Sequence, residues 1–139
     1  MTLAKMIGLA GVFALTACGD TAPKELRPPE RAVTADEIFT AFTTNQIAAR
    51  RDFQETPVTV SGEIVLVDDG IIMLNTGAGP RVGLNMLTDH ASGMADLKVG
   101  DTYAADCEGA YEVKAVVGMQ NCRPHQPPAS ASSAGASAE

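Results

Sequence analysis

Val58-Thr59-Val60-Ser61-Gly62-Glu63-Ile64-Val65-Leu66 places apolar side chains at Val58, Val60, Ile64 and Leu66. They alternate roughly with polar or small residues, and a repeat of two is the period of a strand. Ser61-Gly62 in the middle predicts a bulge or sharp coil. Asp68-Asp69-Gly70 is a tight hairpin signal, and a second strand follows over Ile71 to Asn75. After the loop Thr76-Gly77-Ala78-Gly79-Pro80, Arg81 to Leu87 reads as a third strand, with Val82, Leu84 and Met86 on one face. Thr88 to Leu97 is a polar connection with room for a helical turn. Lys98-Val99-Gly100-Asp101 is another turn, Thr102 to Cys107 a fourth strand, and Ala115 to Cys122 a fifth.

Upstream, Thr34-Ala35-Asp36-Glu37 has the form of a capping box, and its acids suit the positive end of a helix. Ile38, Phe39, Ala41, Phe42, Ala48 and Ala49 continue at near-helical spacing, which predicts one helix from about Ala35 to Arg50. Pro57 closes the helical option. One helix and five short strands with an early glycine kink fit a mainly β domain. A small closed or partly open barrel removes exposed edges, and a two-layer sandwich would give a similar string.

Asn45-Gln46-Ile47-Ala48-Ala49, Asp52-Phe53, Val58 to Ile64, Leu97-Lys98-Val99-Gly100-Asp101, Cys107-Glu108-Gly109 and Asn121-Cys122 together resemble the tRNA_anti-like group of OB-fold domains, which often occur on small bacterial lipoproteins. The resemblance spans nearly all of Thr34 to Cys122. It implies a five-stranded OB-fold barrel preceded by one N-terminal α-helix.

A second resemblance lies at the N-terminus. Lys5 is followed by an apolar run from Met6 to Leu15 that ends in small residues, the build of a cleavable secretory signal. The run is shorter than the ~20 apolar residues a membrane-spanning helix needs. Leu15-Thr16-Ala17-Cys18 resembles the bacterial lipoprotein box, which implies lipidation of Cys18 and its place as first residue of the mature chain. Several acyl chains at one residue give stable anchoring, at ~0.8 kcal/mol per buried methylene. With Gly19 and not Asp after Cys18, the resemblance implies the outer membrane over the inner, and the expected location is the periplasm-facing envelope.

Removing seventeen residues from 139 leaves 122, one small domain with flexible ends. Loss of Lys5 moves the formal charge from −7 to −8. Nucleic acid is therefore an unfavoured partner, since that affinity rests on Lys and Arg at phosphates, and the absence of Trp removes stacking platforms. Residues 18–32 mix prolines and alternating charges and read as a flexible tether. Residues 124–139, rich in Pro, Ala and Ser, have little to bury and read as a disordered tail. The OB-fold domain is expected over 33–123.

With Cys18 lipidated, Cys107 and Cys122 are an even pair in an oxidising compartment, and a disulfide is the expectation. It would close a loop of roughly 15 residues, for which chain entropy gives ~3 kcal/mol. The chain would have to bend near Gly118, or the hairpin be long, for the two to meet. A redox pair or two free thiols are the alternatives.

Asp89-His90 could do acid-base chemistry, but no nucleophile motif accompanies it. Asp68-Asp69-Gly70 lacks the spaced oxygens of a calcium loop. Asn45 is expected to bond the barrel backbone, Arg50-Arg51 to face water at a helix end, and His125 to be solvated in the tail. No catalytic residue, metal or cofactor is predicted. In OB barrels ligands sit on the face of strands two and three, which here implies Asn75, Arg81, Asn85 and Tyr111 as the binding face. The expected function is a lipid-anchored envelope module that binds or scaffolds, with an envelope protein or a small or glycan-like ligand as partner. The alternatives are an oligonucleotide- or oligosaccharide-binding OB protein and a cryptic hydrolase using His90.

Overall fold

The computed structural model describes residues 26–127. In chain order it contains β1 (Arg31–Thr34), α1 (Ala35–Thr44), α2 (Gln46–Phe53), β2 (Val58–Asp68), β3 (Ile71–Thr76), β4 (Gly79–Met86), a 3-10 segment (Thr88–Asp96), β5 (Thr102–Cys107), β6 (Gly109–Val113) and β7 (Val116–Pro124). The described chain is mainly β, with a partly ring-like sheet of five strands and two helices. The hydrogen-bonded order is β2, β3, β4, β7, β5, and β5 pairs in turn with β2. β1 runs parallel to β2, and β6 pairs with β7.

The length of β2 makes the ring possible. Val58 to Glu63 pair with β5, whereas Ile64 to Asp68 pair with β3, and the register shifts between Ile64 and Leu66. The irregularity thus falls a few residues beyond Ser61-Gly62, where the sequence pattern placed it. Gly62 has another use: a Cβ there would come within 3.1 Å of the Ala35 Cβ and 3.3 Å of the Leu74 Cβ. The missing side chain lets the start of α1 settle against the sheet.

The expected single helix is two. The capping box forms at Thr34, whose backbone N–H donates to Glu37 Oε2 while its Oγ1 accepts from the Glu37 N–H. The helix stops at Asn45, which is extended at φ −153° and accepts at Oδ1 from the Ala48 N–H, capping α2. Asn45 therefore bonds a helix end and not the barrel backbone. An Asn that can cap a new helix competes with continuing the old one. Ile38 and Phe42 of α1 and Phe53 of α2 enter one core with Val58, Val60, Ile64, Ile72, Leu74, Val82, Leu84, Val117 and Met119. Each such buried side chain stabilises by roughly 1.5–3 kcal/mol.

Both expected domain limits move outward. Leu26 is buried, the Arg27 guanidinium donates to the Glu55 carbonyl, and the Glu30 N–H donates to the Pro57 carbonyl. Residues 26–32 thus lie against the domain, and only 18–25 of the predicted tether fall outside the described residues. At the other end Pro124 belongs to β7, and the His125 N–H donates to the Ala104 carbonyl.

β6, absent from the five expected strands, resolves the difficulty over the cysteines. It turns back at Lys114-Ala115 and pairs with β7 from Gly109↔Gln120 to Val113↔Val116. Carried two residues further, the same register brings Cys107 opposite Cys122. The two form the expected disulfide, with Cα atoms 4.1 Å apart. No bend at Gly118 is required.

Candidate functional site

Leu66, Met73, Gly83, Gly118 and Tyr111 are successive register neighbours across β2, β3, β4, β7 and β6. Paired residues point to the same side of a sheet. Here it is the outer side, because Ile72, Leu74, Val82, Leu84, Val117 and Met119, which alternate with them, are buried inside. The third and fourth places of the row carry no side chain, so the sheet surface dips between Met73 and Tyr111. The resulting trough has a volume of about 280 Å³ and is also lined by Ile71, Asn85, Val113 and Val116.

The walls are fitted to this floor. A Cβ on Gly118 would lie 2.4 Å from Tyr111 Cζ, and one on Gly83 would lie 3.1 Å from Met73 Sδ. Asn85 Nδ2 donates to the Tyr111 hydroxyl at 3.1 Å and to the Met119 carbonyl at 2.9 Å. One amide thereby ties β4 to β6 and β7 and holds the phenol in place. Leu66, Ile71 and Val113 remain 50%, 39% and 54% exposed along or beside the same row. Large exposed apolar side chains gathered at a depression are the kind of patch that marks an interaction surface.

The likeness to known structures is one of fold. A crystal structure from Klebsiella pneumoniae subsp. pneumoniae, called "putative nucleic acid-binding lipoprotein", matches with a TM-score of 0.57 at 16% identity. The match covers 68% of this chain and 91% of that one. No family model matches the chain, and no curated protein matches it.

Of the four residues expected on the binding face, Asn85 and Tyr111 come together in the trough. Asn75 is exposed and Arg81 half-buried, and neither lines it. Gly83, Gly118, Met73 and Ile71 were not singled out as site residues. Only the two glycines carry a signal, glycine inside a strand pattern, which is a mark of close approach by another group.

The remaining candidates separate. The His90 backbone N–H bonds the Leu87 carbonyl, and its ring makes no bond to Asp89. His125 is not merely solvated: its Nδ1 lies 2.8 Å from Asp106 Oδ1, the same oxygen that accepts from the Thr59 hydroxyl at 2.6 Å. Because the hydroxyl bonds the carboxylate and not the imidazole, the nucleophile-to-base order of a hydrolytic triad is not formed. Arg51 faces water as expected and pairs with Asp52 at 2.8 Å; that hydrogen bond holds the Asp52 carboxyl below its ordinary pKa. Among the described residues no cluster of three or more His, Cys, Asp or Glu is placed to hold a metal ion. No described helix is long and apolar enough to cross a membrane. Cys18 lies outside the described residues.

A wider hollow of about 550 Å³ lies along the angle between α1 and α2, bordered by Thr40, Thr44, Ala48 and Asp52. Asn45, where α1 gives way to α2, also lines it.

Proposed function

We propose that this chain is a lipid-anchored OB-fold module of the cell envelope that binds a protein partner in the glycine-floored trough and catalyses no reaction. The observation that carries the reading is the row Leu66, Met73, Gly83, Gly118, Tyr111, an apolar strip with a side-chain-free floor across five strands. A partner's apolar side chains gain contact area there without displacing a charged group. The ring order, with the 3-10 segment inserted between β4 and β5, supports the OB barrel. The Leu15-Thr16-Ala17-Cys18 box supports the anchor, and the fold shared with a protein called a lipoprotein agrees with it.

A direct test is recovery of bound species from detergent-solubilised envelopes. A partner held by wild type should be lost with Ile71→Asp and retained with Ile47→Asp, because Ile47, 83% exposed, lies on α2 outside the trough. Equal recovery with both variants contradicts the reading.

Nucleic acid binding is the second reading, favoured by the name of the structural neighbour. The formal charge of −8 without the leader and the lack of Lys or Arg lining the trough weigh against it. Its signature would be single-strand binding that weakens steeply with salt.

A further inference from the structure

A second set of unused polar groups gathers where β5 and β7 end. Asp106 is 8% exposed, and burying a carboxylate is costly unless it is hydrogen-bonded. Its Oδ1 meets that need twice, through the Thr59 hydroxyl and the His125 ring. No described residue bonds its other oxygen, Oδ2. Asp106 lines a cavity of about 370 Å³ together with His90, Arg123, Pro124 and Gln126. That volume is at the lower end of small-molecule sites, which run from ~300 Å³ upward.

Asp106 and Arg123 are directly opposite in the β5–β7 register, yet they form no ion pair. Thr59 and His125 hold the carboxylate by its first oxygen. The half-buried Arg123 guanidinium and the half-buried His90 ring have no side-chain partner among the described residues. The next residue pair along, Cys107–Cys122, is covalently joined and fixes the spacing of the two strands here. Among the described residues, the cavity thus presents a five-donor fork, an imidazole and one carboxylate oxygen without a partner, on a cross-linked frame.

The geometry points to this cavity as a binding site for a small hydroxylated oxyanion, a carboxylate or phosphate bearing hydroxyl groups. Arg123 and His90 meet the oxyanion, the guanidinium fork donating to two of its oxygens. Asp106 Oδ2 accepts from a ligand hydroxyl, which a bare anion cannot offer. The site is separate from the trough: the two share no lining residue.

Calorimetric titration of the full chain in detergent tests it, with gluconate and glycerol 3-phosphate as probes and gluconamide and glycerol as uncharged controls. At least one anionic probe should bind, the uncharged controls should not, and Arg123→Gln should weaken binding tenfold or more. His90→Gln, which leaves the sheet untouched, should also weaken it, while Ile71→Asp should leave it unchanged. Binding of one probe alone identifies the oxyanion as carboxylate or phosphate. Absence of binding by both anions, equal binding of the controls, or full affinity in Arg123→Gln overturns the assignment.

Discussion

The Tyr111 ring rests directly on Gly118, so closely that a Cβ at residue 118 would stand 2.4 Å from Cζ and 2.7 Å from the hydroxyl oxygen. Tyr111 and Gly118 are also register partners between β6 and β7. Gly118→Ala must therefore displace the ring and break its bond with Asn85. Overpacking of this kind costs roughly 1–3 kcal/mol. The double variant Gly118→Ala/Tyr111→Ala should recover part of the loss, because the clash goes with the ring. Denaturant unfolding of the two singles and the double checks this as a mutant cycle; strict additivity would contradict the packing described.

The disulfide makes a second prediction. Closing a separation of 15 residues, it contributes ~3 kcal/mol by restricting the unfolded chain. Cys107→Ala/Cys122→Ala should unfold at correspondingly lower denaturant, and mass analysis should find the native chain two hydrogens lighter than its reduced form. An unchanged mass on reduction would show that the bond is absent in the protein as made.

A third prediction concerns the turn between β6 and β7. Lys114 and Ala115 have φ of +49° and +62°, the left-handed conformation that two-residue hairpin turns require and that Asn-Gly adopts most readily. Lys114→Asn/Ala115→Gly should raise stability by about 1 kcal/mol. A lower midpoint in thermal unfolding would refute it.

Much of the sheet was legible because alternation of two is a local signal. Val58, Val60, Val82, Leu84 and the Asp69-Gly70 turn all fall where their pattern put them. The capping box at Thr34 was equally local. Two strands escaped for physical reasons. β1 has four residues and exists by pairing with β2, more than twenty positions away in sequence. β6 sits beside the disulfide as a short hairpin arm whose turn uses Lys and Ala, where Gly or Asn would have announced it. The helix break at Asn45 was hidden because Asn can sit within a helix or cap the next one, and the pattern on either side is helical.

The trough was half legible. Asn85 and Tyr111 followed from the binding face that the OB resemblance implies, but the floor is made of residues with no side chain to read. Only the cross-strand register brings Gly83 and Gly118 together. The Asp106–His125 contact was hidden for another reason: composition alone puts His125 in a tail, and nothing local shows the strand running on to meet it.

Anchoring gives a fourth prediction. Labelled palmitate fed to cells should enter the wild-type chain and not Cys18→Ser, and the variant should leave the membrane fraction. Equal labelling of the two would remove the anchor from the account.

The most direct test of the trough is a photo-crosslinking residue introduced at Val113 or at Val99 in intact cells. Both positions are exposed, at 54% and 67%, but only Val113 lines the trough. A discrete crosslinked species from Val113 and none from Val99 is the predicted result. Crosslinks from both in equal measure, or from neither, would contradict the claim that this chain binds a partner across its two facing glycines.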